Sequence, residues 1–311
     1  MAIRFESLIS ALPGCIAQGI IWGIMALGLY ITFRLLEYSD LTVDGSFATG
    51  GAVTVTLILK GISPWLAVLV AVAAGILCGL VTGTLHTKLG IAPILSGILT
   101  QIALYSVNLH ILGNKANQAV SVDKYPLLLS LRHPGTAILV AGLFAAALIG
   151  VFYWFFGTEL GSSIRATGAN PNMSRAQGID ISRMKVLALM LANGTVALSG
   201  GLMAQYQGFA DVSMGRGAIV IGLAAIIIGE VVQRIFTKES LNFALMLLFV
   251  ISGGIVYYLI MGVALWLRLP TNDLKLFTAI IVAFALAIPH MREKGYGSKK
   301  KNGGKGEKDN G

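Results

Sequence analysis

Few residues of this chain could carry out covalent chemistry, and those few are widely separated. The four histidines lie near the ends of apolar segments and do not have the spacing of a metal-ligand set. The sequence contains neither a G-x-x-x-x-G-K-[ST] phosphate-binding loop nor an H-E-x-x-H zinc motif. Because catalysis needs a nucleophile or an acid-base pair in one place, the sequence argues against an enzyme. If ATP drives this protein, the ATP and its magnesium are bound by another chain.

The acidic residues closest to apolar surroundings are Asp44 and Glu230. Both fall near the ends of predicted membrane segments. A carboxylate inside a membrane is costly and usually functional, so both residues are candidates for gating. The alternative interpretation is structural, with each carboxylate capping a helix or pairing with a nearby cation.

Uncharged polar residues inside the apolar segments are the other candidates for lining a solute path. We take as candidate pore or gating residues Asp44, Ser46, Gln101, Asn108, Asn193, Gln205 and Glu230. Each uncharged member could instead join two helices through a hydrogen bond in lipid. The scarcity of charge favours a neutral or zwitterionic small solute over an ion.

The composition places the chain in a membrane. Apolar residues make up 56% and charged residues 12% of its 311 residues, whereas a soluble domain carries about 25% charged residues. The mean hydropathy is +0.79. We therefore predict an all-α, polytopic membrane protein with about nine (roughly eight to ten) transmembrane helices. The predicted spans cover residues 13–33, 46–59, 64–85, 92–112, 136–156, 184–206, 218–232, 241–265 and 274–289.

The second predicted span, residues 46–59, is short and rich in glycine at its start. We expect a broken or half-length helix, which is tolerated in a membrane only where other protein elements bury it. If this segment were re-entrant, the N-terminus would move to the other side of the membrane.

Residues 158–185 form a polar segment between two apolar stretches. Its first part predicts a short helix over residues 162–167 that stops at Gly168. A second short helix follows over residues 172–177.

The second helix has its own start and stop signals. Asn170 is a good N-cap, and Pro171 suits the first helical position because its missing N–H needs no partner there. Gly178 stands where a left-handed C-cap glycine is typical. A short, capped, basic helix between two membrane spans is expected to be presented to a partner.

The C-terminal tail gives the expected orientation. Residues 291–311 contain seven Lys or Arg against three Asp or Glu and are expected to be a disordered cytoplasmic tail after a membrane domain of residues 1–290. The polar segment then lies on the same, cytoplasmic side. The tail is expected to contact anionic lipid rather than nucleic acid, because Tyr296 is its only aromatic residue.

The polar segment resembles the cytoplasmic coupling region of bacterial ABC importer permeases of the branched-chain amino acid/ribose type. The matching positions are Gly161, Arg165, Ala166, Gly168, Asn170, Pro171, Ala176, Gly178 and Ile179. Residues 28–52 are similar to the family's signature after the first span. Residues 272–286 resemble a branch in which the permease works with a lipoprotein-like binding protein and a separate ATPase.

The resemblance implies a function. Two permease copies would form the pore, and each would dock its short helix onto a nucleotide-binding subunit in the cytoplasm. The residues that the resemblance assigns to this coupling are Arg165, Gly168, Asn170, Pro171, Ser174, Arg175, Ala176 and Gly178. Arg165 and Arg175 could equally be cytoplasmic anchors. The implied cargo is a small organic solute, with aromatic or branched-chain amino acids as the expectation, delivered by an extracytoplasmic binding protein.

Two other classes compete with this one. An ion-coupled secondary transporter would work without an ATPase but would be expected to show a charge in mid-membrane. A membrane enzyme or a purely structural membrane protein is the third class, and the enzyme lacks a catalytic constellation.

Overall fold

The computed structural model describes residues 2–236 and 242–267, and beyond these only Leu276, Ala279, Ile280 and Ala283; side chains are described from residue 11 onward. The described chain is almost entirely α-helical. Its elements are α1 (Ala2–Tyr30), α2 (Val43–Leu59), α3 (Pro64–Thr87), α4 (Pro93–Ile111), β1 (Asn117–Ala119), α5 (Pro134–Phe156), α6 (Glu159–Ala169), α7 (Pro171–Ala176), α8 (Ile181–Gln207), β2 (Phe209–Asp211), α9 (Ala218–Phe236) and α10 (Phe243–Trp266).

Seven of the described helices are long and apolar enough to cross a membrane, namely α1, α3, α4, α5, α8, α9 and α10. The first of these spans continues beyond α1 through a π-helical turn, Ile31–Leu35. Helix α2 is apolar but has only 17 residues. The predicted ninth span, residues 274–289, and the predicted tail, residues 291–311, lie outside the described residues apart from the four isolated positions.

Local sequence signals set several helix ends. Pro64, Pro93 and Pro134 each occupy the first turn of their helix, where a missing N–H costs nothing. Gly208 ends α8 with φ +79°, a left-handed conformation that glycine adopts without strain.

The ends of the helices meet on two opposite faces. On one face, β1 pairs antiparallel with β2, so that Asn117 lies opposite Asp211 and the α4–α5 loop joins the α8–α9 loop. Neither strand is predicted from the sequence. On the other face, Arg34 pairs with Glu230 at 2.6 Å and Lys185 Nζ lies 3.2 Å from His86 Nε2. We call these the strand face and the polar-segment face.

Helix α2 begins inside the bundle, where Ser46 meets Asn193 in the middle of α8, and it ends at the strand face. It begins next to the bend that follows α1. At its other end, Thr56 Oγ1 donates to the carbonyl of Ile111 at 3.1 Å, and Leu59 lies beside the hydroxyl of Tyr125. Most of α2 is buried, as the sequence requires of so short a span.

Helix α8 is at the centre of the bundle and packs against α1, α2 and α3. Close approach of backbones explains the abundance of glycine. A Cβ at Gly50 would overlap the carbonyl of Ala197, and a Cβ at Gly200 would overlap the carbonyl of Phe47. Such contacts between small residues hold helices together where lipid provides no hydrophobic driving force.

The first helix of the polar segment differs from the prediction. Helix α6 covers Glu159–Ala169 rather than residues 162–167, because the Thr158 side chain accepts from Gly161 N at 3.4 Å and caps the helix earlier. Gly168 does not stop the helix but lies inside it, against the backbone of Leu35 and Leu36.

Candidate functional site

The chain between α1 and α2 is irregular although it lies inside the bundle. After the π-helical turn, Glu37 takes φ +52°, and the backbone N–H of Tyr38 donates to Thr32 O at 2.8 Å. Asp40 and Thr42 are completely buried in this stretch. Non-helical backbone at membrane depth is stable only where protein groups satisfy its polar atoms. The bend therefore needs internal partners, and α8, α3 and α4 supply them.

A fully buried carboxyl group anchors the bend to the central helix. Asp40 Oδ2 accepts from Asn193 Nδ2 at 2.7 Å, and Asp40 Oδ1 accepts from the backbone N–H of Thr42 at 2.9 Å. Asn193 Oδ1 in turn accepts from Ser46 Oγ at 2.6 Å. We call Asp40, Ser46 and Asn193 the polar hub; it joins the bend, α2 and α8.

Hydroxyl groups extend this network to α3 and α4. Thr42 Oγ1 lies 2.7 Å from Thr82 Oγ1, which donates to Thr100 Oγ1 at 3.0 Å. The hydroxyl of Tyr38 is 2.8 Å from Ser96 Oγ. The bend is thus tied by side chains to three surrounding helices, and a displacement of the bend must break or carry these bonds.

Sequence reasoning missed Asp40. It selected Asp44 as the acid nearest to apolar surroundings, whereas the buried carboxyl is four residues earlier. One local signal was available: an aspartate two residues before a threonine favours an Asx turn, which is the contact from Thr42 N to Asp40. The pairing with Asn193 crosses 153 positions of sequence and has no such signal.

Asp44 caps a helix, but not the helix that contains it. Its Oδ2 accepts from Gly217 N at 3.0 Å and its Oδ1 from Ile219 N at 3.1 Å. Both donors belong to the start of α9, whose first N–H groups have no partner within the helix. A carboxylate is also favourable at the positive end of the helix dipole. Asp44 therefore fixes the start of α9 to the start of α2.

Asp44 and two other predicted residues come together around one cavity. The cavity has a volume of about 400 Å³ and lies between α2, α4 and the loop that leads into α9. Its polar lining includes Asp44, Gln101 and Asn108 from the predicted set, together with Arg216 and the half-exposed Tyr105. We call it the α4 cavity. Sequence reasoning missed Arg216, because nothing in its local sequence places it opposite α4.

The remaining candidate pore residues lie elsewhere. Ser46 and Asn193 belong to the polar hub. Gln205 is buried near the strand face, and its Oε1 accepts from Leu128 N at 3.0 Å. Glu230 forms its ion pair with Arg34 on the polar-segment face, which is the arrangement expected from the alternative structural interpretation. These four residues do not line the α4 cavity.

The second helix of the polar segment has the predicted caps. Helix α7 begins after Asn170, whose Oδ1 accepts from Met173 N at 3.0 Å, and Pro171 occupies its first turn. Gly178 follows it with φ +82°. Ser174 is buried, whereas Arg175 and the rest of α7 are exposed. The helix is thus held on one side and open to contact on the other.

Two of the predicted coupling residues make internal contacts. Arg165 Nη2 donates to the carbonyl of Phe156 at 2.9 Å, which ties α6 to the end of α5. Gly168 lies so close to Leu35 that a Cβ there would overlap the Leu35 carbonyl oxygen. The polar segment is therefore in direct backbone contact with the turn that leads into the bend.

The fold is that of a multi-pass α-helical membrane protein with a buried polar hub and an exposed, capped helix on one face. Residues 12–285 match the family described as "Branched-chain amino acid transport system / permease component". The chain belongs to this family of ABC-type permeases, which is a transport family and not a catalytic one.

The chain is also similar to individual permeases of this kind. The chain is 38% identical to the tyrosine transport system permease protein of Clostridioides difficile (strain R20291), over 89% of this chain and 91% of the relative. It is 34% identical to an uncharacterized protein of Rickettsia prowazekii (strain Madrid E), over 87% and 94%. It is 24% identical to the probable branched-chain amino acid transport permease protein LivH of Methanocaldococcus jannaschii, over 70% and 73%. No solved structure matches the chain significantly.

Proposed function

We propose that this chain is the pore-forming subunit of an importer for amino acids in the bacterial cytoplasmic membrane, and that a separate ATPase powers it. Two copies of the chain form the pore, and an extracytoplasmic binding protein delivers the solute to the strand face. The observation that carries the proposal is the exposed, capped helix α7 in a chain of this permease family. The amino-acid cargo is supported by the similarity to the tyrosine permease.

Helix α7 has the properties of a docking element. Its Met173 side chain is 59% exposed, and Arg175 and Ala176 are exposed beside it. Buried Ser174 and the Asn170 cap hold the helix in place, so little conformational entropy is lost when a partner binds. An apolar side chain next to an arginine is a common composition for an interface anchor. A groove on the ATPase would receive this surface.

Contacts inside the permease provide a route from the docked helix to the pore. Helix α7 follows α6 after the single extended residue Asn170, and α6 contacts Leu35 at Gly168. Leu35 precedes the bend that carries Asp40 of the polar hub. Because these contacts are between backbones, a rigid-body movement of α6 and α7 would displace the bend and change access to the pore.

Asp40 favours one alternative, an ion-coupled carrier that works without ATP. A buried carboxyl at membrane depth is the feature that such a carrier needs and that the sequence alone does not reveal. The two functions differ in their energy source. Uptake that follows an ion gradient in vesicles without ATP would support the carrier.

The proposed docking is tested by replacing Ala176 with arginine. A long charged side chain at this small exposed position obstructs the docking surface without touching the core. We expect ATP-dependent uptake by the reconstituted complex to fall by about tenfold or more, as for loss of an interface anchor, while the permease remains in the membrane.

Ser162→Arg is the matched control, because Ser162 is exposed on α6 outside the proposed docking surface. We expect this variant to retain uptake and to co-purify with the ATPase. Equal uptake by the Ala176→Arg and Ser162→Arg variants would contradict the assignment of α7 as the docking helix.

A further inference from the structure

The α4 cavity combines two groups that lack partners within the described part of the chain. Asn108 is 1% exposed, and its amide nitrogen donates to Gly45 O at 3.4 Å, but its Oδ1 accepts no hydrogen bond. Arg216 is exposed and pairs with no carboxylate among the described residues. A buried acceptor without a partner is costly, so Asn108 marks an incompletely satisfied lining. The unpaired guanidinium of Arg216 favours a ligand that carries a negative charge.

The mouth of the cavity cannot be in contact with lipid chains. Arg216 and Gln101 line it, and a guanidinium or a primary amide loses its hydrogen bonds when hydrocarbon replaces water. The opening must therefore lie against water or against a second copy of the chain. In either position the cavity is accessible to a solute that enters the pore proposed above.

The chemistry of the lining distinguishes solute classes. Arg216 provides a fork of N–H donors that matches a carboxylate. Asp44 has lone pairs left because it accepts only backbone N–H groups. Tyr105 adds an aromatic surface beside them. A sugar has no carboxylate for Arg216, whereas an amino acid has both a carboxylate and an ammonium group.

We propose that the α4 cavity is a transient binding site for zwitterionic amino acids on their way through the pore. Arg216 binds the α-carboxylate, and Asp44 accepts a hydrogen bond from the α-ammonium group. Tyr105 packs against the amino-acid side chain. The proposal rests on the proposed amino-acid permease function and adds the residues that bind the two charged groups of the amino acid.

The test is protection of a cysteine in the cavity from alkylation. Ser106 lines the cavity and is exposed, so Ser106→Cys is introduced after Cys15 and Cys78, the two native cysteines, are replaced by alanine. The complex in nanodiscs is labelled with a maleimide in the presence of L-tyrosine, L-leucine, tyramine or D-ribose. Tyramine keeps the ring and the ammonium group of tyrosine but lacks its carboxylate.

We expect L-tyrosine or L-leucine to slow labelling, and tyramine and D-ribose to leave the labelling rate unchanged. Arg216→Gln should weaken the protection by about tenfold or more in amino-acid concentration, because one charge-assisted hydrogen-bond pair is lost. Arg216→Lys should restore part of it. The matched control is Arg132→Gln, which removes an arginine that pairs with Asp123 on the same face outside the cavity. In this variant, the amino acids should slow labelling as much as they do in the parent protein.

Equal protection by tyramine, unchanged protection in the Arg216→Gln variant, or no protection by either amino acid would overturn the binding site. The labelling rate without solute and the elution profile verify that each variant is folded. Uptake driven by ATP is measured on the same preparations. If ATP drives uptake but no amino acid slows the labelling, only the cavity site is refuted. If an amino acid slows the labelling but ATP drives no uptake, the proposed function is refuted.

Discussion

Replacing Asn193 with alanine is expected to destabilise the protein more than any other single change at the polar hub. The Asn193 side chain donates to Asp40 at 2.7 Å and accepts from Ser46 at 2.6 Å, and both partners are completely buried. Without Asn193, Asp40 Oδ2 loses its side-chain donor. The Ser46 hydroxyl can turn to a carbonyl of its own helix, as serines in helices commonly do.

The magnitude follows from these two losses. A hydrogen bond to a carboxyl group is worth about 1.5–3 kcal/mol, and a buried polar group left without a partner costs about 1–3 kcal/mol. Because Ser46 can be satisfied again, the loss at Asp40 dominates. We expect the free energy of unfolding to fall by about 3 kcal/mol, at the lower end of the range for breaking a buried polar pair.

The assay is reversible unfolding in mixed micelles by titration with a denaturing detergent. Thr195→Ala is the matched control on the same helix. Its hydroxyl donates to Leu191 O, a carbonyl of the helix itself, so its removal should cost about 1 kcal/mol or less. A double variant that also carries Asp40→Ala should lose less than the sum of the two single losses, because both changes break the same bond. If Asn193→Ala costs no more than Thr195→Ala, the polar hub does not hold the bend to α8.

Two further predictions concern the polar segment. Gly168→Ala should destabilise the protein by about 1–3 kcal/mol, because the new methyl group would overlap the Leu35 carbonyl, whereas Gly150→Ala, at a site with no atom within 4 Å of the new Cβ, should be neutral or slightly stabilising in the same unfolding assay. Cysteines at positions 163 and 298 should both resist a membrane-impermeant reagent added to intact cells, and labelling at 163 alone would reverse the proposed orientation.

Much of the fold could be predicted from the sequence because its signals are local. A span needs only a run of apolar residues of sufficient length, and seven such helices appear where the pattern predicts them. The caps of α7 depend on neighbours within three positions, as in the contact from Met173 N to Asn170 Oδ1. The π-helical turn was not predicted from the sequence. The early start of α6 was missed although its cap, from the Thr158 side chain to Gly161 N, is a local signal.

The sequence predicted which residue types belong to the candidate site, but not which hydrogen-bond partner each residue has. Uncharged polar side chains at membrane depth must find a hydrogen bond, so selecting Asn193 and Asn108 needed no structure. Which residue each one meets depends on how the helices are arranged. Asn193 meets a carboxyl from the bend between α1 and α2, whereas the buried Oδ1 of Asn108 accepts no hydrogen bond. The sequence interpretation of Asp44 as a helix cap was chemically sound, but only the structure shows that the capped helix is α9.

The sequence by itself determined that this protein is a bundle of membrane helices with a short capped helix displayed between two of them. Hydropathy and capping act over a few residues and survive in any arrangement of the helices. The tertiary structure decided the rest, because it alone brings positions far apart in the chain within hydrogen-bond distance. It placed Asp40 against Asn193 in the interior, set Asp44 on the start of α9, and brought Arg216 opposite α4.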